Sequence, residues 1–190
     1  MILPIVTYGD PILRKKASPI NKDYPELKKL IDDMFETMYN ADGVGLAAPQ
    51  IDLSRQLVVI GFRPYDEKTD TYGEEEERHV LINPEIIQET GEKKFFNEGC
   101  LSLPEIHEDV LRPESVIMRW YDEDFVEHQE EINGMFARVA QHELDHLNGK
   151  VFTDRLSSLR KTLIKRKLND VQFGKVLPKY RIKKTNKNNR

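Results

Sequence analysis

Two histidines separated by three residues form the strongest chemical signal in the chain, in the segment HELDH at residues 142–146. On a helix, side chains four positions apart lie one turn apart on the same face, so both imidazoles can bind one cation. Glu143 then lies about 100° around the helix from His142, within reach of a water on that cation. The spacing therefore predicts a metal site that activates water for hydrolysis.

A catalytic site of this kind needs a third protein ligand and one open position. No histidine or glutamate follows residue 146, and the downstream carboxylate of Asp154 is better explained as a helix N-cap. The only cysteine, Cys100, lies upstream in the segment EGCLSLP, residues 98–104. Because a thiolate binds zinc or iron well, we predict Cys100 as the third ligand. A small apolar core residue is the alternative for a lone cysteine.

Regular elements must position these residues. Apolar residues at helical spacing predict helices over residues 25–39 and 135–147, and a third helix is predicted over 155–168. The acidic segment 63–78 is predicted to be a mobile, solvated loop. Short segments with strand-like composition are predicted at 57–61, 79–83, 85–90, 93–96, 115–121 and 125–131.

Bulk composition narrows the class of protein. The length of 190 residues suggests one domain, and the formal net charge of −4 argues against DNA binding through overall basic charge. We see no signal peptide and no apolar run long enough to span a membrane. A single cysteine excludes an intrachain disulfide and fits a reducing compartment. We therefore expect a cytoplasmic protein whose last residues, RIKKTNKNNR at 181–190, form a basic, disordered tail.

Three segments together resemble the signature motifs of the peptide deformylase family. They are GVGLAAPQ at 43–50, EGCLSLP at 98–104 and QHELDHLNG at 141–149, and their order also matches. The resemblance implies an α+β fold in which mixed and antiparallel β-sheets pack around the central HExxH helix, beside the N-terminal and C-terminal helices. It implies a catalytic domain over residues 1–168, followed by a C-terminal extension at 169–190. It also implies removal of the formyl group from the N-terminal methionine of nascent polypeptides.

The resemblance implies the chemistry of individual residues. Cys100, His142 and His146 would bind one divalent metal ion, which is iron(II) in the cells of many members and which zinc, nickel or cobalt can replace. The ion lowers the pKa of a bound water, so that hydroxide attacks the formyl carbon. Glu143 would take the proton of that water and deliver it to the leaving amine.

The first two motifs would bind the substrate and its transition state. The side-chain amide of Gln50 and the backbone N–H of Leu101 would donate hydrogen bonds to the developing oxyanion. The backbone of Gly45 would contact the peptide. Val44 and His142 would line the pocket for the methionine side chain.

Two further features bear on the resemblance. His107 stands where many family members have an arginine that holds the substrate backbone, so that contact would be weaker, pH-dependent or made elsewhere. Glu98 and Arg112 match a carboxylate and an arginine that could pair behind the site. Ordinary surface charges are the alternative for these two residues.

Other functions fit parts of the sequence. A metallopeptidase with the same helix motif would cleave internal peptide bonds and use a third ligand other than Cys100. A non-enzymatic protein would use a four-ligand metal site to hold its fold and would bind ribosomes through its basic end. A ribosome contact is also a hypothesis for the enzyme, with a solvated helix face as the alternative. The cations concerned on the last predicted helix are Arg160, Lys161, Lys165, Arg166 and Lys167.

Overall fold

The computed structural model describes residues 1–66 and 70–183, with only the backbone described at 65 and 66. The strands are β1 (Gly45–Ala47), β2 (Leu57–Phe62), β3 (Tyr65–Asp66), β4 (Thr71–Tyr72), β5 (Glu77–Cys100), β6 (Leu103–Tyr121) and β7 (Glu127–Asn133). Five of them form one antiparallel sheet in the order β1-β2-β5-β6-β7, and β3 pairs with β4 separately.

Three α-helices accompany the sheet, which confirms the predicted α+β class. They are α1 (Leu27–Asn40), α2 (Gly134–Leu147) and α3 (Ser158–Gln172). Short 3-10 helices lie at Pro11–Arg14, Ala48–Ile51 and Phe152–Arg155. Within residues 1–66 and 70–183, a helix with the length and apolar character needed to span a bilayer is not found.

Strand β2 is buried on both faces, which explains its uninterrupted apolar sequence. Val58 and Ile60 belong to a core cluster with residues of α2, whereas Leu57 and Val59 belong to a cluster with residues of α1. Alternate residues of a strand point to opposite faces of the sheet. Helix α2 therefore packs on one face of the sheet and α1 on the other, so the helix with both histidines is central.

Strands β5 and β6 form one long hairpin, whereas the sequence predicted several short strands there. Their pairing extends from Ile82 opposite Tyr121 to Cys100 opposite Leu103, with four register shifts. Each register shift interrupts the alternation of inward-facing and outward-facing residues, so the sequence of one continuous strand resembles that of several short strands. The acidic segment was also predicted wrongly in part, because β3, β4 and the start of β5 lie within it. Residues 67–69 of that segment lie outside the described residues.

Helix α3 begins later and ends later than predicted. Residues 152–155 form a 3-10 helix, and Ser157 caps α3 by accepting a hydrogen bond from the N–H of Arg160. Asp154 is therefore not the N-cap of a long helix. Its carboxylate instead accepts the N–H of Val151 at 2.9 Å and pairs with Arg14. Hydroxyl capping by Ser157 decides the start of the helix.

The chain after α3 returns across the molecule to the N-terminal segment. Ile182 pairs with Ile5 in a parallel bridge. The N–H of Ile5 donates to the carbonyl of Arg181 at 2.9 Å, and the N–H of Lys183 donates to the carbonyl of Ile5 at 2.8 Å. The predicted disorder of the basic tail is therefore wrong for residues 181–183, and residues 184–190 lie outside the described part. A domain division at residue 168 stays a prediction, although α3 continues to Gln172.

Candidate metal centre and substrate cleft

The structure brings the three predicted metal ligands together. Candidate ligand atoms of Cys100, His142 and His146 all lie within 4.8 Å of one another, and Sγ of Cys100 is 3.2 Å from Nε2 of His146. Both histidines lie on the buried face of α2. Bonds of about 2.1 Å to nitrogen and 2.3 Å to sulfur would let one ion contact all three atoms. The donors therefore fit a divalent metal ion.

A tight turn between β5 and β6 carries Cys100 to the histidines. A register shift lies between Glu98 and Cys100, and Cys100 pairs opposite Leu103. The carbonyl of Ser102, inside this turn, accepts the N–H of Tyr8 at 2.8 Å. The turn is therefore held by the N-terminal segment through Tyr8, and it also contacts α2 through Cys100 and His146.

A buried carboxylate orients the imidazole of His142. Oε2 of Glu98 lies 3.0 Å from Nδ1 of His142, and Arg112 donates two hydrogen bonds to Glu98 at 2.7 and 2.9 Å. Burial raises the pKa of Glu98, but hydrogen bonds from His142 and Arg112 outweigh burial and lower that pKa to about 2. The carboxylate is thus charged, and it leaves Nε2 of His142 free for an ion. Glu98 and Arg112 therefore pair, as the family resemblance allowed, and the alternative of ordinary surface charges is wrong.

Arg112 connects this carboxylate to a second one on α2. Its side chain has no solvent exposure, and Nη1 donates to Asp145 at 2.8 Å. Arg155 also donates to Asp145, at 2.6 and 2.7 Å. Charges buried at this depth persist only when they are paired. The network therefore fixes the hairpin against α2 directly behind the ligands.

Glu143 lies beside the ligands with one oxygen unused. The residue is buried, and its Oε2 has no hydrogen-bond partner within the described part of the chain. A Cβ added to Gly45 would come within 2.5 Å of its Oε1. Only glycine at position 45 therefore leaves room for the carboxylate, which is available to exchange a proton with a small molecule in the cleft.

Gln50 faces the turn that carries Cys100. Its Oε1 accepts the N–H of Ala47 at 2.8 Å, which directs the amide nitrogen the other way. Nε2 donates to Oγ of Ser102 at 3.2 Å and lies 3.6 Å from Sγ of Cys100. The amide is therefore held as a donor next to the candidate metal ligand.

One cleft of about 810 Å³ joins most of the predicted site residues. His146 is fully buried and does not line it, so it lies behind the other ligands. Val44 and His107 are exposed at the cleft, and both Met135 and Arg138 of α2 also line it. The predicted residues that line the cleft are Val44, Gly45, Gln50, Cys100, Leu101, His142 and Glu143.

Comparisons with known proteins identify the family. A family model described as polypeptide deformylase matches residues 2–162. The peptide deformylase of Christiangramia forsetii is 50% identical over 188 residues, covering 96% of each chain. That of Flavobacterium johnsoniae is 48% identical over 188 residues, again covering 96% of each chain. This chain belongs to the polypeptide deformylase family.

Solved structures agree with this assignment. The crystal structure of a peptide deformylase from Legionella pneumophila matches with a TM-score of 0.78 at 40% identity, covering 92% of this chain and 98% of that chain. The peptide deformylase from Thermus thermophilus matches with a TM-score of 0.77 at 38% identity, covering 91% of this chain and 99% of that chain. The protein is accordingly a metal-dependent hydrolase that removes formyl groups from nascent peptides.

Burial shifts the pKa values of the ionisable groups in this deformylase. It raises the pKa of Glu143 to about 7, against the opposing charges of His142 and Arg112. It lowers the pKa of His146 to about 3, so that imidazole is neutral. Burial also disfavours charge on His142, but hydrogen bonds with Cys100 and Glu98 outweigh it and raise its pKa well above the ordinary value. Shifts of this kind cluster at functional sites.

Several residues of the deformylase site were not predicted from the sequence. Arg138, one turn before His142, donates to Oε1 of Glu98 at 3.2 Å, and its position on the ligand face of α2 was a usable signal. Asp145 lies between the two histidines but was not recognised as a partner of Arg112. Residues 177–180 line the cleft without any local pattern that could have indicated it.

Proposed function

We propose that Cys100, His142 and His146 hold the metal ion of this deformylase and that Glu143 is its general acid/base. The observation that carries the proposal is the meeting of three ligand atoms within 4.8 Å, beside a buried carboxylate oxygen of Glu143 that has no hydrogen-bond partner in residues 1–66 and 70–183. Three protein ligands match a catalytic site, which keeps one position open. A metal that only holds a fold together would have four.

We propose iron(II) as the ion in cells, with zinc, nickel or cobalt able to replace it. A thiolate and two imidazoles suit iron or zinc, and metal supply decides between them. When bound, the ion acts as a Lewis acid that lowers the pKa of water and polarises the formyl carbonyl. Glu98 supports this role because it accepts from Nδ1 of His142 and so presents Nε2.

Glu143 moves the proton in the proposed reaction. Its Oε2, which no described residue contacts through a hydrogen bond, accepts the proton of the attacking water, and the same oxygen delivers it to the nitrogen of the departing amine. The products are formate and a free N-terminal amine. A pKa of about 7 suits both directions of transfer near neutral pH.

Gln50 and Leu101 stabilise the negative oxygen that develops on the formyl group. Nε2 of Gln50 already points toward the cysteine turn, because Oε1 is occupied by the N–H of Ala47. The backbone N–H of Leu101 is the second donor in the proposal. Oriented donors of this kind are worth about 3 kcal/mol each in other hydrolases.

The side chain of the substrate's N-terminal methionine lies against Val44 and His142, while the backbone of Gly45 contacts the peptide. In support, a peptide deformylase from Acinetobacter baumannii has a crystal structure described as Met-Ala-Ser bound, at 32% identity and a TM-score of 0.74. His107 lies exposed at the same cleft and is a candidate for holding the peptide backbone.

The test uses anaerobically purified protein with its metal content measured. We expect the wild type to release formate from formyl-Met-Ala-Ser, and Glu143→Gln to lower kcat by about 10²- to 10⁴-fold with the metal retained. Glu130→Gln, on exposed β7 outside the cleft, is the matched control. Undiminished deformylation by the metal-loaded Glu143→Gln variant would refute the role of Glu143. Cleavage of an unformylated peptide alone would favour the metallopeptidase.

A contact with the ribosome is a further part of the proposal, because nascent chains are the substrate. Exposed cations of α3 support it: Lys161, Lys165, Arg166 and Lys167. Arg160 contributes less than the sequence suggested, because it donates to the buried carboxylate of Glu108 at 2.8 Å. Action on nascent chains also leads us to infer a cytoplasmic location.

Co-sedimentation with ribosomes tests this contact. We expect binding in low salt that weakens as salt rises, and a further loss in Lys165→Glu/Lys167→Glu. Lys22→Glu, a charge reversal at an exposed site away from α3, is the control. Absence of co-sedimentation in low salt, or binding that ignores salt, would contradict the proposed contact without affecting deformylation.

A further inference from the structure

Four consecutive residues form a side of the cleft that the proposed reaction does not use. Residues 177–180, the C-terminal wall, line the same cleft as His142 and Glu143. Leu177 is 79% exposed, and Val44 and Met135 are further exposed apolar side chains that line the same cleft. Several exposed apolar groups in one cleft are typical of a ligand-binding groove, whereas a single exposed leucine is not informative. Lys179 beside Leu177 is exposed as well. The wall therefore presents an uncovered apolar group at the mouth of the cleft.

The C-terminal wall is anchored at its inner end. The hydroxyl of Tyr180 donates to the carbonyl of Leu101 at 2.7 Å, in the turn directly after Cys100. Tyr180 is only partly exposed, so solvent does not freely replace this hydrogen bond. The wall is thus attached to the turn that carries the candidate metal ligand and the proposed oxyanion donor.

The residues that directly follow the wall are also held in place. Ile182 pairs with Ile5, and the ammonium of Lys183 contacts Asp10 at 3.1 Å and Asp52 at 2.8 Å. Two carboxylates from separate segments therefore hold one lysine. Val176, directly before the wall, packs against the core cluster that contains Ile164 and Val171 of α3. Leu177 therefore lies between a packed residue and the hydrogen bond of Tyr180, and this gives it the defined position that a specificity contact requires.

The substrate has to pass this wall. The formyl group must reach Glu143 in the buried part of the cleft, and every residue after the first methionine must leave through the exposed mouth. Leu177 is an exposed apolar side chain there, and Met135 of α2 lines the same cleft with 40% exposure. An extended peptide at the mouth can bury apolar side chains against such groups.

We propose that the C-terminal wall contacts the side chains that follow the formylated methionine and that Leu177 makes the enzyme prefer apolar ones. This inference rests on the deformylase function proposed above. It makes residues of the predicted C-terminal extension part of the substrate site. Leu177 is then a specificity-determining residue and does not take part in the reaction itself.

The experiment compares kcat/KM for formyl-Met-Leu-Leu and formyl-Met-Ala-Ala in the metal-loaded enzyme. We expect Leu177→Ala to lower the ratio of the two values by roughly fivefold, the scale of a partly buried leucine contact. Formyl-methioninamide, which has no downstream side chain, should react unchanged. Leu163→Ala, at a 62% exposed leucine of α3 outside the cleft, is the matched control and should keep the wild-type ratio.

A second variant gives a gain that misfolding could not produce. Leu177→Glu should raise kcat/KM for formyl-Met-Lys-Lys relative to formyl-Met-Glu-Glu by roughly threefold or more, because a carboxylate replaces the apolar contact. Wild-type preferences in both Leu177 variants, with deformylation intact, would overturn the role of the wall. A wild type inactive on every formylated peptide would instead overturn the deformylase function, and this inference with it.

Discussion

Helices α2 and α3 both carry several charged residues, but they place them in opposite surroundings. On α2 the carboxylates of Glu143 and Asp145 are buried, whereas only Ile164 and Val171 are buried on α3. The carboxylate of Asp145 is held by a partner from another element, whereas one oxygen of Glu143 has no hydrogen-bond partner among the described residues. The charges of α3 mostly face solvent. The charged residues of α2 thus fix the positions of neighbouring side chains, whereas most charged residues of α3 can be replaced with little effect on packing.

The largest expected effect comes from removing the cation behind α2. Arg112→Met leaves Glu98 and Asp145 buried without the guanidinium they share, and we expect it to lower the free energy of unfolding by about 3–5 kcal/mol. Lys165→Met on α3 should change it by less than about 0.5 kcal/mol. Urea unfolding of the metal-loaded proteins measures both. Equal effects would abolish the contrast between the two helices.

Two adjacent residues of α3 test whether buried apolar side chains alone account for the contribution of this helix to stability. Ile164 is 4% exposed and Leu163 is 62% exposed. We expect Ile164→Ala to cost about 2–4 kcal/mol of unfolding free energy, and Leu163→Ala less than about 0.5 kcal/mol. Thermal and urea unfolding provide the measurement. A large loss in Leu163→Ala would mean that this face of α3 is covered in solution.

The smallest expected effect is a loss of metal affinity. Glu98→Gln keeps the shape of the side chain but weakens its hydrogen bond with Nδ1 of His142. We therefore expect a 10- to 100-fold loss of metal affinity, the usual range when a residue that orients a metal ligand is replaced. This loss corresponds to about 1.4–2.7 kcal/mol. Glu85→Gln, which alters an exposed pair with Arg119, is the control. Competition with a chelator gives the affinities. Unchanged affinity in Glu98→Gln would show that α2 orients His142 unaided.

Local patterns in the sequence predicted the centre of the site well. The spacing of His142 and His146 indicated one helix face, and the lack of a downstream ligand pointed to Cys100 before any family was considered. The structure brings these three residues together as the pattern suggested. Their roles in metal binding and catalysis stay predictions until they are measured.

Features that depend on distant contacts could not be predicted. The register shifts of β5 and β6 hid a continuous hairpin, because each one breaks the alternation by which strands are recognised. The start of α3 depended on a single hydroxyl cap at Ser157. Tyr180 carries no periodic signal at all, and only the path of the backbone after α3 shows that it meets Leu101.

The bridge between Ile5 and Ile182 has a consequence for how the protein is made. During translation Ile5 is made long before Ile182, and most of the described helices and strands are made between them. Contacts so far apart in the chain form late because a long loop must close first. We therefore expect a growing chain to bring Cys100, His142 and His146 together before Ile182 pairs with Ile5, so the C-terminal wall joins the cleft after the candidate metal ligands have met.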